Sequence, residues 1–99
     1  MQEITVAQLK EWIDTSRPYF LLDVREPYEH AHFNLGGLLL PLGDLISQKD
    51  QIPVDIPVVV YCEKGIRSII AIQRLGLHGF SNLFNLKGGV KTWRLSGLD

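Results

Sequence analysis

The sequence predicts an α/β fold with a parallel β-sheet of about four to five strands and helices on both faces. Short apolar runs alternate along the chain with segments of helical character. The runs are apolar at successive positions, as expected for strands that helices cover on both sides. A length of 99 residues suits one core, so we expect residues 1–99 to form a single domain.

Four apolar runs are predicted as strands, and five other segments are predicted as helices. The strands are expected near residues 19–22, 38–40, 58–61 and 83–86. Thr5 and Gln8 have the spacing of a capping box, which predicts that the first helix begins there and ends near Thr15. The other helices are expected at residues 28–31, at 43–49, from the segment after Cys62 to about 77, and from 89 through Trp93 and Leu95.

The composition excludes several classes of function. The chain has 10 basic and 11 acidic residues, and a net charge of -1 gives no electrostatic basis for binding nucleic acid or an anionic membrane. No apolar run approaches the roughly 20 residues that span a bilayer. The N-terminal residues lack the basic and apolar regions of a secretory signal. Together with the single cysteine, these features predict a cytoplasmic protein.

Cys62 is the only cysteine, so it has no partner in the chain for a disulfide or a CxxC zinc or redox pair. It follows a predicted buried strand and begins a short loop before a predicted helix. Backbone N–H groups and the positive end of a helix dipole stabilise a thiolate at such a junction. The candidate site is therefore Cys62 with the loop residues Glu63, Lys64, Gly65, Ile66, Arg67 and Ser68.

Gly65 supports this interpretation because glycine permits the tight curvature and positive φ with which successive amides point inward around an anion. The alternative is that Cys62 is an inert core residue, since free cysteines are often buried. Asp23 and Arg25 follow another predicted strand. The carboxyl ends of parallel strands meet at one edge of a sheet, where function lies in such folds. We therefore expect Asp23 and Arg25 close to Cys62.

The pattern Cys-x-x-Gly-x-Arg after a buried strand resembles the active-site loop of the rhodanese family. Three further segments are similar to that family and follow in the same order: residues 21–26, residues 36–41, and residues 85–89 followed by Trp93. Residues 34–42 are most similar to rhodanese domains fused behind adenylyltransferases of the molybdopterin and thiamine sulfur pathways. The resemblance covers nearly the whole chain, from about Ile4 to Trp93.

The resemblance implies a sulfurtransferase that carries sulfane sulfur as a persulfide on Cys62. The donor would be thiosulfate or a protein persulfide, and the acceptor a thiol, cyanide or a sulfur-carrier protein, with an adenylyltransferase as a further partner. No cofactor is implied. The loop amides would bind the substrate sulfur, while Arg67 would brace the loop against a carboxylate. Arg25 would face the substrate at the pocket rim, supported by Asp23, or else form a surface salt bridge.

Two other functions are alternatives to sulfur transfer, and a metal site is a further possibility. Phosphatase and arsenate reductase loops have the pattern Cys-x5-Arg, but only four residues separate Cys62 from Arg67. A loop one residue shorter is too tight to surround a tetrahedral phosphate. A non-catalytic docking or regulatory module is the other alternative. His30, His32 and His78 do not have the spacing of metal ligands, so no metal site is predicted.

Overall fold

The fold was determined as a computed structural model that describes residues 1–97. Five parallel strands form one sheet in the order β1-β5-β4-β2-β3. The strands are β1 (Glu3–Ile4), β2 (Phe20–Asp23), β3 (Leu38–Leu39), β4 (Val58–Tyr61) and β5 (Leu83–Leu86). The predicted fold class is confirmed, and four of these strands lie where the apolar runs predicted them.

Four α-helices connect or follow the strands, as the alternation predicted. They are α1 (Val6–Asp14), α2 (Pro27–His32), α3 (Arg67–Gly76) and α4 (Gly89–Ser96). The capping box before α1 is present, because the Gln8 amide donates to Thr5 Oγ1 and the Thr5 amide donates to Gln8 Oε1. These two bonds satisfy amides that a helix N-terminus otherwise leaves unpaired.

The predicted helix at residues 43–49 is wrong. Two short 3₁₀ helices, Leu42–Asp44 and Lys49–Gln51, occupy this region instead. The Asp44 amide donates to the Pro41 carbonyl three residues earlier, and Gly43 has a low helix propensity. The segment is held by its apolar side chains, since Leu45 and Ile52 are buried in the core.

Both faces of the sheet are covered by apolar side chains, because successive strand residues point to opposite sides. One cluster lies with α3 and includes Val58, Val60, Ala71 and Leu75. The other lies with α1 and α4 and includes Leu9, Val59, Val90 and Trp93. This explains why β4 is apolar at every position. No helix in residues 1–97 is long and apolar enough to cross a lipid bilayer.

The strand order reverses between β2 and β4. From β2 the chain moves outward to β3, and it then returns across the sheet to β4 and continues to β5. Asp23 pairs in register with Tyr61, so β2 and β4 end side by side. Ligands of open α/β sheets bind beyond the carboxyl ends of strands at such a reversal. This is where Asp23, Arg25 and Cys62 lie.

Candidate active site

Cys62 lies directly after β4, and polar groups of its own loop surround its sulfur. The Gly65 amide donates to Sγ at 3.1 Å and the Ser68 amide donates at 3.3 Å. The Ser68 hydroxyl lies 3.4 Å from the same sulfur. Residue 62 is only 1% exposed, yet it is not enclosed by hydrocarbon alone. Two amides that donate to one sulfur favour a negative charge there.

The loop is held against the first residues of α4. The Val90 amide donates to the Cys62 carbonyl at 3.0 Å, and the Lys91 amide donates to the Glu63 carbonyl at 2.9 Å. Gly65 has a φ of 90°, as the sequence predicted for a tight loop, and a Cβ there would lie 3.0 Å from the Gly88 amide nitrogen. The start of α4 therefore fixes the loop backbone without touching the sulfur.

A buried side-chain network ties the loop to β5. Ser68 Oγ donates to Asn85 Oδ1, and Asn85 Nδ2 donates to the Gly65 carbonyl at 3.3 Å. Asn85 is 2% exposed, so these bonds satisfy polar atoms that water does not reach. Sequence reasoning assigned Asn85 no role. The signal was present, because Asn85 is a polar residue inside an otherwise apolar strand.

Arg67, the last residue of the Cys-x-x-Gly-x-Arg pattern, braces the loop against α2. Its two terminal nitrogens donate to the two carboxylate oxygens of Glu29 at 2.7 and 2.8 Å. These hydrogen bonds, with smaller contributions from its surroundings, lower the pKa of Glu29 to about 2. Both Arg67 nitrogens are engaged by a carboxylate, so the side chain is a brace in the resting structure. Its partner Glu29 was not identified from the sequence.

Arg25 is buried rather than placed at a solvent-exposed rim, so the alternative prediction of a surface salt bridge is wrong. It is 1% exposed, and its Nε and Nη2 donate to the Asp23 carboxylate at 3.0 and 2.9 Å. Burial opposes its charge, but the hydrogen bonds and charge of Asp23 outweigh burial and raise the pKa of Arg25. His30 Nδ1 lies 2.8 Å from Asp23 Oδ2, the oxygen that also accepts the bond from Arg25 Nη2. Asp23 thus supports Arg25 from β2.

Glu63 connects this buried pair to the surface. Its carboxylate lies 3.4 Å from Arg25 Nη1 and also accepts a hydrogen bond from Arg94 of α4. A cleft of about 180 Å³ opens beside these groups, lined by Arg25, Tyr28, Glu29, His32, Glu63 and Arg94. Two loop residues, Lys64 and Ile66, are exposed, and Ile66 is 65% accessible. The loop tip therefore faces solvent while its sulfur is held inside.

The predicted residues assemble as one site. The loop from Cys62 to Ser68, Arg25 and Asp23 all lie at the carboxyl edge of β2 and β4. Asn85, Glu29 and Arg94 join them from β5, α2 and α4. This arrangement can hold a thiolate or a persulfide on hydrogen-bond donors, next to a cleft of mixed charge.

Comparison with known proteins identifies the family. A family model for the rhodanese-like domain matches residues 5–96. The chain is 44% identical to the uncharacterised protein YqhL of Bacillus subtilis, covering 74% of this chain and 59% of that protein. It is 34% identical to a probable adenylyltransferase/sulfurtransferase, MoeZ of Mycobacterium tuberculosis, covering 91% of this chain. The chain spans 24% of the length of MoeZ, so it resembles one part of that protein.

A relative of similar size and a solved structure agree with this assignment. A protein named sulfurtransferase from Allochromatium vinosum is 32% identical, covering 99% of this chain and 92% of that protein. The crystal structure of a rhodanese-related protein from Thermoplasma volcanium is 30% identical and superposes with a TM-score of 0.86. That match covers 98% of this chain and 94% of the other. The chain belongs to the rhodanese-like family, whose members include proteins named sulfurtransferases.

Proposed function

We propose that the protein is a sulfurtransferase that carries sulfane sulfur as a persulfide on Cys62. The observation that carries this proposal is the convergence of the Gly65 amide and the Ser68 amide on Cys62 Sγ. Each hydrogen bond to a charged sulfur is worth about 1.5–3 kcal/mol. These donors therefore favour the nucleophilic thiolate, and we expect the remaining loop amides to bind the outer sulfur of a persulfide.

The reaction has two steps. In the first, the Cys62 thiolate attacks the sulfane sulfur of thiosulfate, a new S–S bond forms, and the old bond breaks with its electron pair leaving on sulfite. A protein persulfide donor would instead release a thiol. In the second step, a thiol, cyanide or a sulfur-carrier protein attacks the outer sulfur, and the Cys62 thiolate is regenerated. Neither step requires a cofactor or a metal.

The proposed location of this reaction is the cytoplasm. We also propose that residues 1–99 act as one domain. The similarity to MoeZ, named an adenylyltransferase/sulfurtransferase, supports a sulfur-carrier protein or an adenylyltransferase as partner. The near-neutral charge of the chain offers no attraction to nucleic acid or a membrane surface.

Intact mass spectrometry tests the proposal. The protein is incubated with thiosulfate, and we expect a gain of one sulfur atom that cyanide removes. Cys62→Ser keeps the size of the side chain and should gain none. Wild-type protein that gains no sulfur from thiosulfate, and none from a persulfide donor, would contradict the proposal.

A non-catalytic docking module is the second candidate, and one observation favours it. Residue 62 is 1% exposed, which limits the access of a donor to the sulfur. A docking module would leave Cys62 unmodified by both donors. It would also bind its partner equally well with Cys62→Ser, which a calorimetric titration with a candidate sulfur-carrier protein measures.

A further inference from the structure

Three arginines border the Cys62 loop, and a carboxylate neutralises each of them. Arg67 pairs with Glu29, and Arg25 pairs with Asp23. Glu63 then pairs with Arg94 and lies 3.4 Å from Arg25 as well. Within residues 1–97, the guanidinium groups beside this loop therefore have no unpaired positive charge to offer an incoming anion. Lys64 is the remaining cation of the loop, and it points to solvent.

Glu63 is the most exposed to a donor among these three carboxylates. Its side chain is 27% exposed, against 0% for Asp23 and 17% for Glu29. It follows Cys62 directly in the chain and lines the cleft of about 180 Å³. Its carbonyl is held by the Lys91 amide, so its backbone is fixed beside the sulfur. A donor that enters by this cleft therefore approaches the Glu63 carboxylate together with Arg25 and Arg94, the arginines that it neutralises.

Arg94 is positioned to hold this carboxylate rather than to bind substrate. Its guanidinium donates to Glu63 and lies 5.3 Å from the centre of the Phe33 ring. Both contacts fix the Arg94 side chain, which extends from α4 along the cleft. Arg25 and Arg94 thus hold Glu63 in place. Glu63 in turn cancels the positive field that would draw a dianion toward the sulfur.

We propose that Glu63 is a specificity-determining residue that disfavours dianionic donors such as thiosulfate relative to persulfides of thiols. This inference rests on the proposed sulfur transfer and deepens it. Thiosulfate carries two negative charges, and both approach a carboxylate at the entrance. A thiol persulfide presents at most one negative charge at its reacting end. The resulting preference is set by charge at the cleft, whereas reactivity is set by the loop donors on Sγ.

Single-turnover loading of Cys62, followed by quenching and intact mass spectrometry, measures this preference. The probes are thiosulfate and cysteamine persulfide, whose protonated amine offsets the charge of its persulfide. Glu63→Gln should raise the second-order rate constant with thiosulfate about fivefold or more at low salt. The constant with cysteamine persulfide should change less than about twofold. The gain should shrink toward 1 M salt, because screening there acts over about 3 Å.

Two further variants separate this role from a structural one. Arg94→Gln leaves the Glu63 carboxylate without one of its cations, so loading by thiosulfate should become slower, opposite to Glu63→Gln. Glu11→Gln removes the same charge from the exposed face of α1 and should leave both constants unchanged. A structural role would instead slow both donors in both variants of the Glu63–Arg94 pair.

The outcomes distinguish this inference from the proposed function. Equal or slower thiosulfate loading by Glu63→Gln, with normal loading by cysteamine persulfide, overturns the role of Glu63 and leaves sulfur transfer intact. If neither donor loads wild-type Cys62, the proposed function fails and the specificity inference fails with it.

Discussion

The close approach of Gly89 to the Cys62 loop gives a sharp prediction for Gly89→Ala. Gly89 has a φ of 61°, in the left-handed region that disfavours a side chain. A Cβ there would overlap the Cys62 carbonyl oxygen and lie 2.6 Å from the Glu63 carbonyl oxygen. Both are backbone atoms, so no side-chain rotation relieves the overlap. The variant must move the loop, the start of α4, or both.

The magnitude follows from two contributions. The left-handed conformation costs alanine about 1–2 kcal/mol. Separating α4 from the loop also weakens the bonds from the Val90 and Lys91 amides to the loop carbonyls, each with a net value of about 1 kcal/mol. We therefore expect Gly89→Ala to lower the free energy of unfolding by about 3–4 kcal/mol. For a domain of this size, that is a fall in Tm of more than about 10 °C.

Gly97→Ala is the matched control. Gly97 has a φ of 69°, and a Cβ there would meet no atom within 4 Å. Gly97→Ala should therefore lower the free energy of unfolding only by the conformational contribution, about 1–2 kcal/mol. Urea unfolding followed by tryptophan fluorescence measures both variants, and sulfur loading from thiosulfate should fall only in Gly89→Ala. Equal stability of the two variants would refute the close approach as the reason for glycine.

Two further predictions concern the charged groups around the loop. The pKa of Glu29 is lowered from 4.5 to about 2, so its stabilising effect is present above about pH 4.5 and is lost as the pH falls through 2. The pair with Arg67 is partly exposed, so Glu29→Gln should lower the free energy of unfolding at pH 7 by about 1–2 kcal/mol. Urea unfolding at a series of pH values should then show a smaller loss of stability between pH 4.5 and 2 than in the wild type. An unchanged dependence on pH would contradict this. Asp23→Asn leaves the Arg25 charge buried without its carboxylate, so the free energy of unfolding measured in urea should fall by about 3–5 kcal/mol. Asp55 is exposed, and Asp55→Asn should lower it by less than about 0.5 kcal/mol. A loss below about 1 kcal/mol for Asp23→Asn would show that Arg25 finds another partner.

Local elements of the fold were predictable because their signals lie within a few residues. The apolar run at Val58–Tyr61 is long enough to indicate a buried strand, and the structure confirms it. Thr5 and Gln8 satisfy each other's amides without help from the rest of the chain. Prediction failed at residues 43–49, where a helix was expected to follow Pro41. There, tertiary burial of Leu45 and Ile52 outweighs weak local helix propensity.

Elements that depend on distant pairing were not predictable. Strand β1 contains only Glu3–Ile4, too short to show a period of two. It exists because it pairs with β5 near the other end of the chain. Strand order likewise depends on the crossovers between strands, since a pattern along one strand does not identify its neighbours.

The candidate site divides in the same way. The position of Cys62 after a strand, and the curvature at Gly65, followed from adjacent residues. The partners that hold the loop did not, since Asn85, Glu29 and Arg94 come from three other elements. The position of Arg25 just after a predicted strand indicated that it lies at the edge of the site, but it did not indicate that the side chain is buried. The functional roles of the loop residues stay predictions until sulfur transfer is measured.

Localisation of a transferred sulfur tests the central claim most directly. After incubation with thiosulfate or cysteamine persulfide, tandem mass spectrometry of the peptide that contains Cys62 should show one added sulfur on that residue. Cyanide should remove it as thiocyanate in an equal amount. An unmodified Cys62 peptide after both donors, or equal sulfur uptake by Cys62→Ser, would contradict a persulfide carried in this loop.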